Sequence, residues 1–254
     1  MELPQGPGFG LQGRRALVTG AGRGIGVAMA SALAAAGAHV TLVSRTLSEV
    51  EAVAAALRAR GDAAEALALD VCDTAAFAQA LTERPAFDVF VNNAGTNRPK
   101  PFTAVEEADF DVVMGLNVRA AFFAAQAVAK GMIAAGKRGS IIHISSQMGH
   151  VGGEGRTIYC TSKFAIEGLN KAMALDLAAQ GIRSNTICPT FIETPMTAPF
   201  LADAAFRARV VSKIKLGRLG TVEDLMGAVV FLASDASGLM TGTSLVIDGG
   251  WTAE

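Results

Sequence analysis

The chain has 254 residues, 51% hydrophobic and 18% charged, with 22 Lys and Arg against 23 Asp and Glu, a formal charge of −1 and a mean hydropathy of +0.37. That apolar content supplies a packed core and excludes disorder as a description of the whole chain, because disorder needs low hydrophobicity and high net charge. The balanced, interspersed charges also argue against a nucleic-acid surface, which needs a basic stripe. Cys72, Cys160 and Cys188 are odd in number and widely spaced, so neither a disulfide framework nor a four-ligand zinc site can be assembled from them. His39, His143 and His150 lack metal-ligand spacing, and no metal is expected. The opening residues contain Glu2, Pro4 and Pro7 rather than a basic region and an apolar run, so they do not read as a signal peptide. Gln126 and Lys130 interrupt the most apolar helical stretch before it reaches the roughly 18 residues of a membrane span. The expectation is a cytoplasmic globular protein with small-molecule partners.

Short apolar runs predict strands at Ala16–Thr19, Val40–Val43, Ala64–Leu69, Val89–Val91, Ser140–Ile144, Arg183–Ile187 and Ser244–Ile247. Runs that are apolar throughout are buried on both faces, the mark of a parallel sheet covered by helices. This predicts one α/β domain over residues 1–254, a Rossmann-type doubly wound sheet of about seven strands. Helical spacing runs from Ile25 to Ala36 and stops at Gly37, and a polar surface helix runs from Thr46 to Arg60. Two longer helices, Glu106–Ala135 and Ile158–Ala179, are apolar on more than one side: in the second, Phe164, Gly168 and Leu175 share one face and Ile166, Leu169 and Met173 another. A helix that must bury two faces sits either inside the protein or at a subunit interface; in a single domain of this size the interface is favoured, so a homo-oligomer is expected. Residues 190–216 read as an insertion between a strand and a helix, suited to act as a lid over a substrate.

The first strand leads into Thr19-Gly20-Ala21-Gly22-Arg23-Gly24-Ile25-Gly26 and then a helix. Glycines there let the backbone turn sharply and approach a pyrophosphate held by free N–H groups at the helix start. The spacing is Gly20-xxx-Gly24-x-Gly26 rather than G-x-G-x-x-G, and no Gly-Lys-Ser/Thr follows, which excludes a P-loop. Between Val27 and Ser48 there is no acidic residue to hold a ribose hydroxyl; the slot after the second strand is Ser44-Arg45, and Arg23 reaches the same region. Guanidinium groups there hold a 2′-phosphate bidentately, which favours NADP(H) over NAD(H).

Further along stand Asn92-Asn93-Ala94-Gly95, Asn117 in a helix, Ser145-Ser146 at a strand end, and Tyr159-Cys160-Thr161-Ser162-Lys163. Together with Thr19–Gly26, these resemble the short-chain dehydrogenase/reductase family, and the resemblance spans nearly the whole chain, from about Leu11 to Trp251. Tyr159 and Lys163 lie four apart, one turn along a helix face, where an ammonium favours the phenolate and draws the phenol toward an acid/base range. The resemblance implies Tyr159 as general acid/base, Lys163 as its modulator and a ribose ligand, and Asn117 as holder of a relay water. Two serines fit the third position. The family's spacing points to Ser146, thirteen positions before Tyr159, rather than Ser145.

The resemblance also carries over Asn92, Ala94 and Gly95 as cofactor contacts, with Asp70 and Val71 at the adenine. Pro189, Ile192 and Thr194 fall at the nicotinamide end, although Thr190 stands where the family usually has Gly. A tetramer is the assembly the resemblance implies. The substrate pocket is expected among segments that follow strand ends, with Met148, His150, Phe191 and Met196 beside Ser146 and Tyr159. The overall look is similar to the sugar-acid and polyol dehydrogenases and the 3-oxoacyl reductases of the family. The implied reaction interconverts a small or medium secondary alcohol and its ketone, and a non-catalytic nucleotide sensor is the competing reading.

Overall fold

The computed structural model describes Met1 and residues 3–253; Glu2, which bears on the leader reading, and Glu254 lie outside the described residues. Seven strands form one sheet: β1 (Arg15–Thr19), β2 (His39–Ser44), β3 (Ala64–Ala68), β4 (Val89–Asn92), β5 (Ser140–Ile144), β6 (Arg183–Pro189) and β7 (Ser244–Ile247). Their order is β3-β2-β1-β4-β5-β6-β7, and every pair is parallel. The central β4 and β5 are buried along their whole length, whereas β3, at an edge, is only partly covered. This is why the central runs read as unbroken apolar stretches while β3 carries Glu65.

Alternate residues serve two cores. Val18, Leu42, Val91 and Ile142 pack toward α1 (Ile25–Ala35), α2 (Leu47–Ala59) and α9 (Glu223–Ala233), represented by Met29, Leu33, Val229 and Leu232. Leu17, Phe90 and Ile141 pack the other way, onto α3 (Thr74–Thr82), α5 (Ala121–Ala134) and α6 (Thr157–Leu177), through Phe77, Val128, Met132 and Leu177. The order reverses after β3, when the chain returns to place β4 beside β1, and a crevice opens at the carboxyl ends of those two strands.

The long helix expected over Glu106–Ala135 is divided: α4 (Glu107–Met114) gives way to a π-helical turn, Gly115–Ala120, before α5. Within Glu107–Ala134 an 18-residue window reaches a mean hydropathy of 1.5, long and apolar enough to cross a membrane, but the inner residues of this run, among them Ala124, Val128 and Met132, are core. Its outer side leaves Phe110, Phe122 and Phe123 exposed, and α6 does the same with Phe164 and Leu175. Two short helices, α7 (Ala198–Leu201) and α8 (Ala204–Lys213), fall within residues 190–216.

His143, central in β5, is 1% exposed, with its Nδ1 3.2 Å from Asn92 Nδ2. Burial pushes its pKa down to about 4, and Lys163 adds to this against the opposing pull of Glu167. The folded chain therefore keeps this imidazole neutral where the unfolded chain already takes up a proton, so stability is lost as pH falls from 6.5 toward 4. A shift of that size corresponds to about 3 kcal/mol. In urea denaturation between pH 7 and pH 4, His143→Met should flatten this acid limb by about one proton; an unchanged slope would contradict the linkage.

Candidate active site

The crevice takes its shape from backbone that no side chain obstructs. Gly20 (φ +64°) turns the chain after β1 into the left-handed region, and a Cβ there would lie 2.9 Å from Asn93 Nδ2. Thr19 Oγ1 accepts from the backbone N–H groups of Asn93 (3.1 Å) and Ala94 (3.2 Å), while Asn93 Nδ2 donates to the Thr19 carbonyl (2.9 Å). These bonds knit the loops that follow β1 and β4. The first turn of α1 carries no acidic residue and no side-chain cap, so its N–H groups are left for an anion.

The resulting cleft has a volume of about 450 Å³. Gly20, Arg23, Gly24 and Ile25 form its floor, Ser44, Arg45, Asp70 and Val71 one end, and Ala94 and Gly95 the β4 side. Tyr159, Lys163, Pro189, Ile192 and Thr194 close the other end. A second, smaller cavity of about 80 Å³ adjoins that end, with Met148, Phe191, Met196 and Phe200 among its walls. Ser146, Tyr159, Thr190, Met196 and Thr197 belong to the walls of both cavities, so the candidate catalytic pair stands where the two meet.

A family model described as Enoyl-(Acyl carrier protein) reductase matches residues 20–252. An L-xylulose reductase of Mesocricetus auratus is 39% identical over 243 residues, covering 96% of this chain and 98% of that protein. A gluconate 5-dehydrogenase of Gluconobacter oxydans is 39% identical over 248 residues, 96% of each. The crystal structure of a gluconate 5-dehydrogenase from Burkholderia cenocepacia in complex with NADP and tartrate is 39% identical, with a TM-score of 0.94 over 97% of this chain and 98% of that one. The chain belongs to the short-chain dehydrogenase/reductase family. It is an NAD(P)-dependent oxidoreductase acting on CH–OH and C=O groups.

Two of the expected cofactor contacts, Asn92 and Gly26, do not line the cleft. Asn92 points away from the cleft, donating to the Ala121 carbonyl at 2.8 Å. Gly26 is buried under the loop, and a Cβ there would run into the Gly20 carbonyl oxygen; its role is close packing of α1 on β1. His150 also departs from expectation. It lines neither cavity, and its Nε2 lies 3.4 Å from Cys188 Sγ and 3.9 Å from Glu167 Oε2. The Cys188 thiol is pushed up to about 12 by burial and then by Glu167, to which it donates.

Asn117 sits in the π-helical turn with its side chain fully engaged. Its Oδ1 accepts from Thr96 N (2.8 Å), and its Nδ2 donates to the Thr96 carbonyl (2.9 Å) and to Ser162 Oγ (3.0 Å). Ser162 Oγ in turn donates to the Tyr159 carbonyl at 2.8 Å. Asn117 is a positioning residue that ties the β4 loop to α6, rather than a lining group of the cleft.

Lys163 Nζ donates to the Ile144 carbonyl at 2.8 Å and stands 5.5 Å from the centroid of the Tyr159 ring. Burial pushes Lys163 down to about 8, so it remains mainly an ammonium at neutral pH. Burial holds the Tyr159 phenol above its ordinary value, with Ser146 and Arg156 acting in the opposite direction. Burial thus favours the phenol over the phenolate.

Sequence reasoning missed several lining residues. Glu49, in the first turn of α2, stands just beyond the stretch searched for a carboxylate, and its Oε2 would be 2.7 Å from a Cβ on Gly22. Thr190 adopts no positive φ, and its N–H donates to the Ile247 carbonyl at 3.2 Å, so the loop holds without the family's glycine while placing a hydroxyl on the shared wall.

Proposed function

We propose that this enzyme is an NADP(H)-dependent reductase of sugar- or polyol-type ketones, working reversibly on the matching secondary alcohols, with Tyr159 as proton donor and acceptor. The observation that carries this reading is the shared wall: Ser146 and Tyr159 face a nucleotide-sized cleft on one side and a small cavity on the other. NADP fits the residues present. The glycine floor admits a pyrophosphate, Tyr159, Lys163 and Thr194 stand at the nicotinamide end, and the exposed Arg23 and Arg45 supply charge for a 2′-phosphate at the far end. The relative crystallised with NADP supports the same choice. Glu49 opposes it, as a carboxylate facing the same end, so Arg45 is the residue on which the preference turns.

When bound, the nicotinamide supplies or accepts the hydride. Ser146 holds the substrate oxygen, and its own hydroxyl is oriented by Gln147 Oε1 at 2.8 Å. With its phenol protonated at neutral pH, Tyr159 gives the Oη proton to the oxygen of the ketone being reduced; in oxidation the phenolate takes the hydroxyl proton back. Lys163 braces this end through the Ile144 carbonyl. Residues 1–254 act as one nucleotide-binding domain in this reading, with residues 190–216, which carry α7 and α8, as the substrate lid. The narrow second cavity favours a short polyhydroxy substrate over a 3-oxoacyl thioester, and retention of Ser146, Tyr159 and Lys163 favours an enzyme over a sensor. Three free cysteines suit a cytoplasmic setting.

The exposed aromatic residues on α4, α5 and α6 support self-association, and we assign a tetramer. Sedimentation at micromolar concentration should give four chains per particle; a monomer would remove the assignment. Tyr159→Phe should lower ketone reduction by roughly 10²–10⁴-fold while NADPH binding, read by fluorescence, stays near wild type; near-normal turnover would reject the acid/base role. Arg45→Asp should shift the ratio of kcat/KM for NADPH over NADH by roughly 10–100-fold toward NADH, and an unmoved ratio would mean that the phosphate is held elsewhere.

A further inference from the structure

Three buried polar atoms on the second cavity lack a protein hydrogen-bond partner: Arg156 Nη1, Thr190 Oγ1 and Asn97 Oδ1. Arg156 is 6% exposed, and its guanidinium carbon lies 4.9 Å from the centroid of the Phe200 ring. Among the described residues no carboxylate lies within ion-pair distance of it. A guanidinium stays charged and only donates, and burying one without an anion is unfavourable, so a negatively charged group in this cavity would offset the charge of Arg156. Arg156 precedes Tyr159 by three residues, just under a helical turn, so an anion it holds lies within a few carbons of the reacting centre.

We propose that Arg156, Thr190 and Asn97 form a subsite for a carboxylate and its neighbouring hydroxyl, and that the substrate is a short polyhydroxy acid rather than the matching neutral polyol. The guanidinium fork meets the carboxylate. Asn97 Oδ1 accepts from the adjacent substrate hydroxyl, and the Thr190 hydroxyl donates to either oxygen. Phe200 covers the guanidinium face, and Met148 and Phe191 offer apolar walls to the carbon chain. In oxidation the carbinol C–H would leave as hydride to a bound NADP⁺ and the O–H proton would pass to the Oη of Tyr159 in its phenolate form; the carboxylate is held and not consumed. A neutral polyol of the same length would fill the space and leave the charge of Arg156 uncompensated.

The assignment rests on the reductase reading above, and the test separates the two. D-gluconate is compared with D-sorbitol, and L-threonate with threitol, by steady-state kcat/KM with NADP⁺ for the wild type, Arg156→Met and Arg156→Lys. D-gluconate binding is followed independently through Trp251, the only tryptophan, which stacks on the cavity wall at Phe191 with ring centroids 5.8 Å apart. Wild type should favour the acid of each pair. Arg156→Met should lower the acid-over-polyol ratio by roughly 10–100-fold, mainly through KM, with Arg156→Lys between the two. A wild-type preference for the polyols, or a ratio unmoved in both variants, would overturn the subsite and leave the reductase standing. Gluconate binding that depends on Arg156 without turnover of any substrate would retain the subsite and overturn the reductase. If Arg156→Met fails to fold, Arg156→Lys decides.

Discussion

The site depends on one close approach: Gly26, in the first turn of α1, lies against the carbonyl of Gly20, with Asn93 Nδ2 filling the remaining angle. No side chain fits there. Because α1 presses this closely on the end of β1, its free N–H groups face the crevice, and the Thr19 hydroxyl can gather the loop after β4 into the same wall. The nucleotide cleft is thus a property of backbone packing at the reversal of strand order, where β1 and β4 separate. Side chains such as Arg23, Arg45 and Glu49 tune which nucleotide fits a cleft they do not themselves create.

At the opposite end, burial does the tuning. Tyr159, Lys163 and His143 each lose solvent, and in each the neutral form gains: the phenol rises, while Lys163 falls to about 8 and His143 to about 4. An apolar end of this kind strengthens any charge–charge contact that a bound ligand brings, because little water remains to screen it. The same burial gives Arg156 its leverage: a guanidinium in this wall discriminates between charged and neutral substrates far more sharply than a surface arginine, whose ion pairs are weak.

The strands and their parallel arrangement were legible because a sheet covered on both faces demands continuous apolar runs, and those runs stand in the sequence with glycine punctuation between them. Even so, the ends drifted: β3 stops at Ala68 and β6 continues through Pro189. The lining of the cleft by Gly20, Gly24 and Ser44 was legible because backbone geometry ties each to a strand end, whereas that by Asp70 and Thr194 was legible only through the family resemblance. What was not legible depends on side-chain direction. Asn92 alternates to the buried side of β4, whereas Asn93, its neighbour, lines the cleft. His150 lies in the expected segment yet turns toward Cys188 and Glu167. Helical spacing likewise places Tyr159 and Lys163 on one face but does not say that the ammonium donates to the Ile144 carbonyl.

The π-helical turn shows how such a local choice reaches the chemistry. A wider turn at Gly115–Ala120 interrupts an otherwise continuous helix and carries Asn117 in its middle. From there the amide bridges Thr96, on the loop that walls the cleft, and Ser162, which accepts from it and donates to the carbonyl of Tyr159. The β4 loop and the catalytic stretch of α6 are therefore fixed to each other by one buried side chain, independently of any ligand. The other wall of the junction is held by backbone and hydroxyl bonds, with the Thr190 N–H donating to the Ile247 carbonyl and Thr197 Oγ1 to the Ile192 carbonyl, and Thr190, Met196 and Thr197 all border both cavities. Any change in that segment alters the nucleotide cleft and the substrate cavity together, because the same residues wall both.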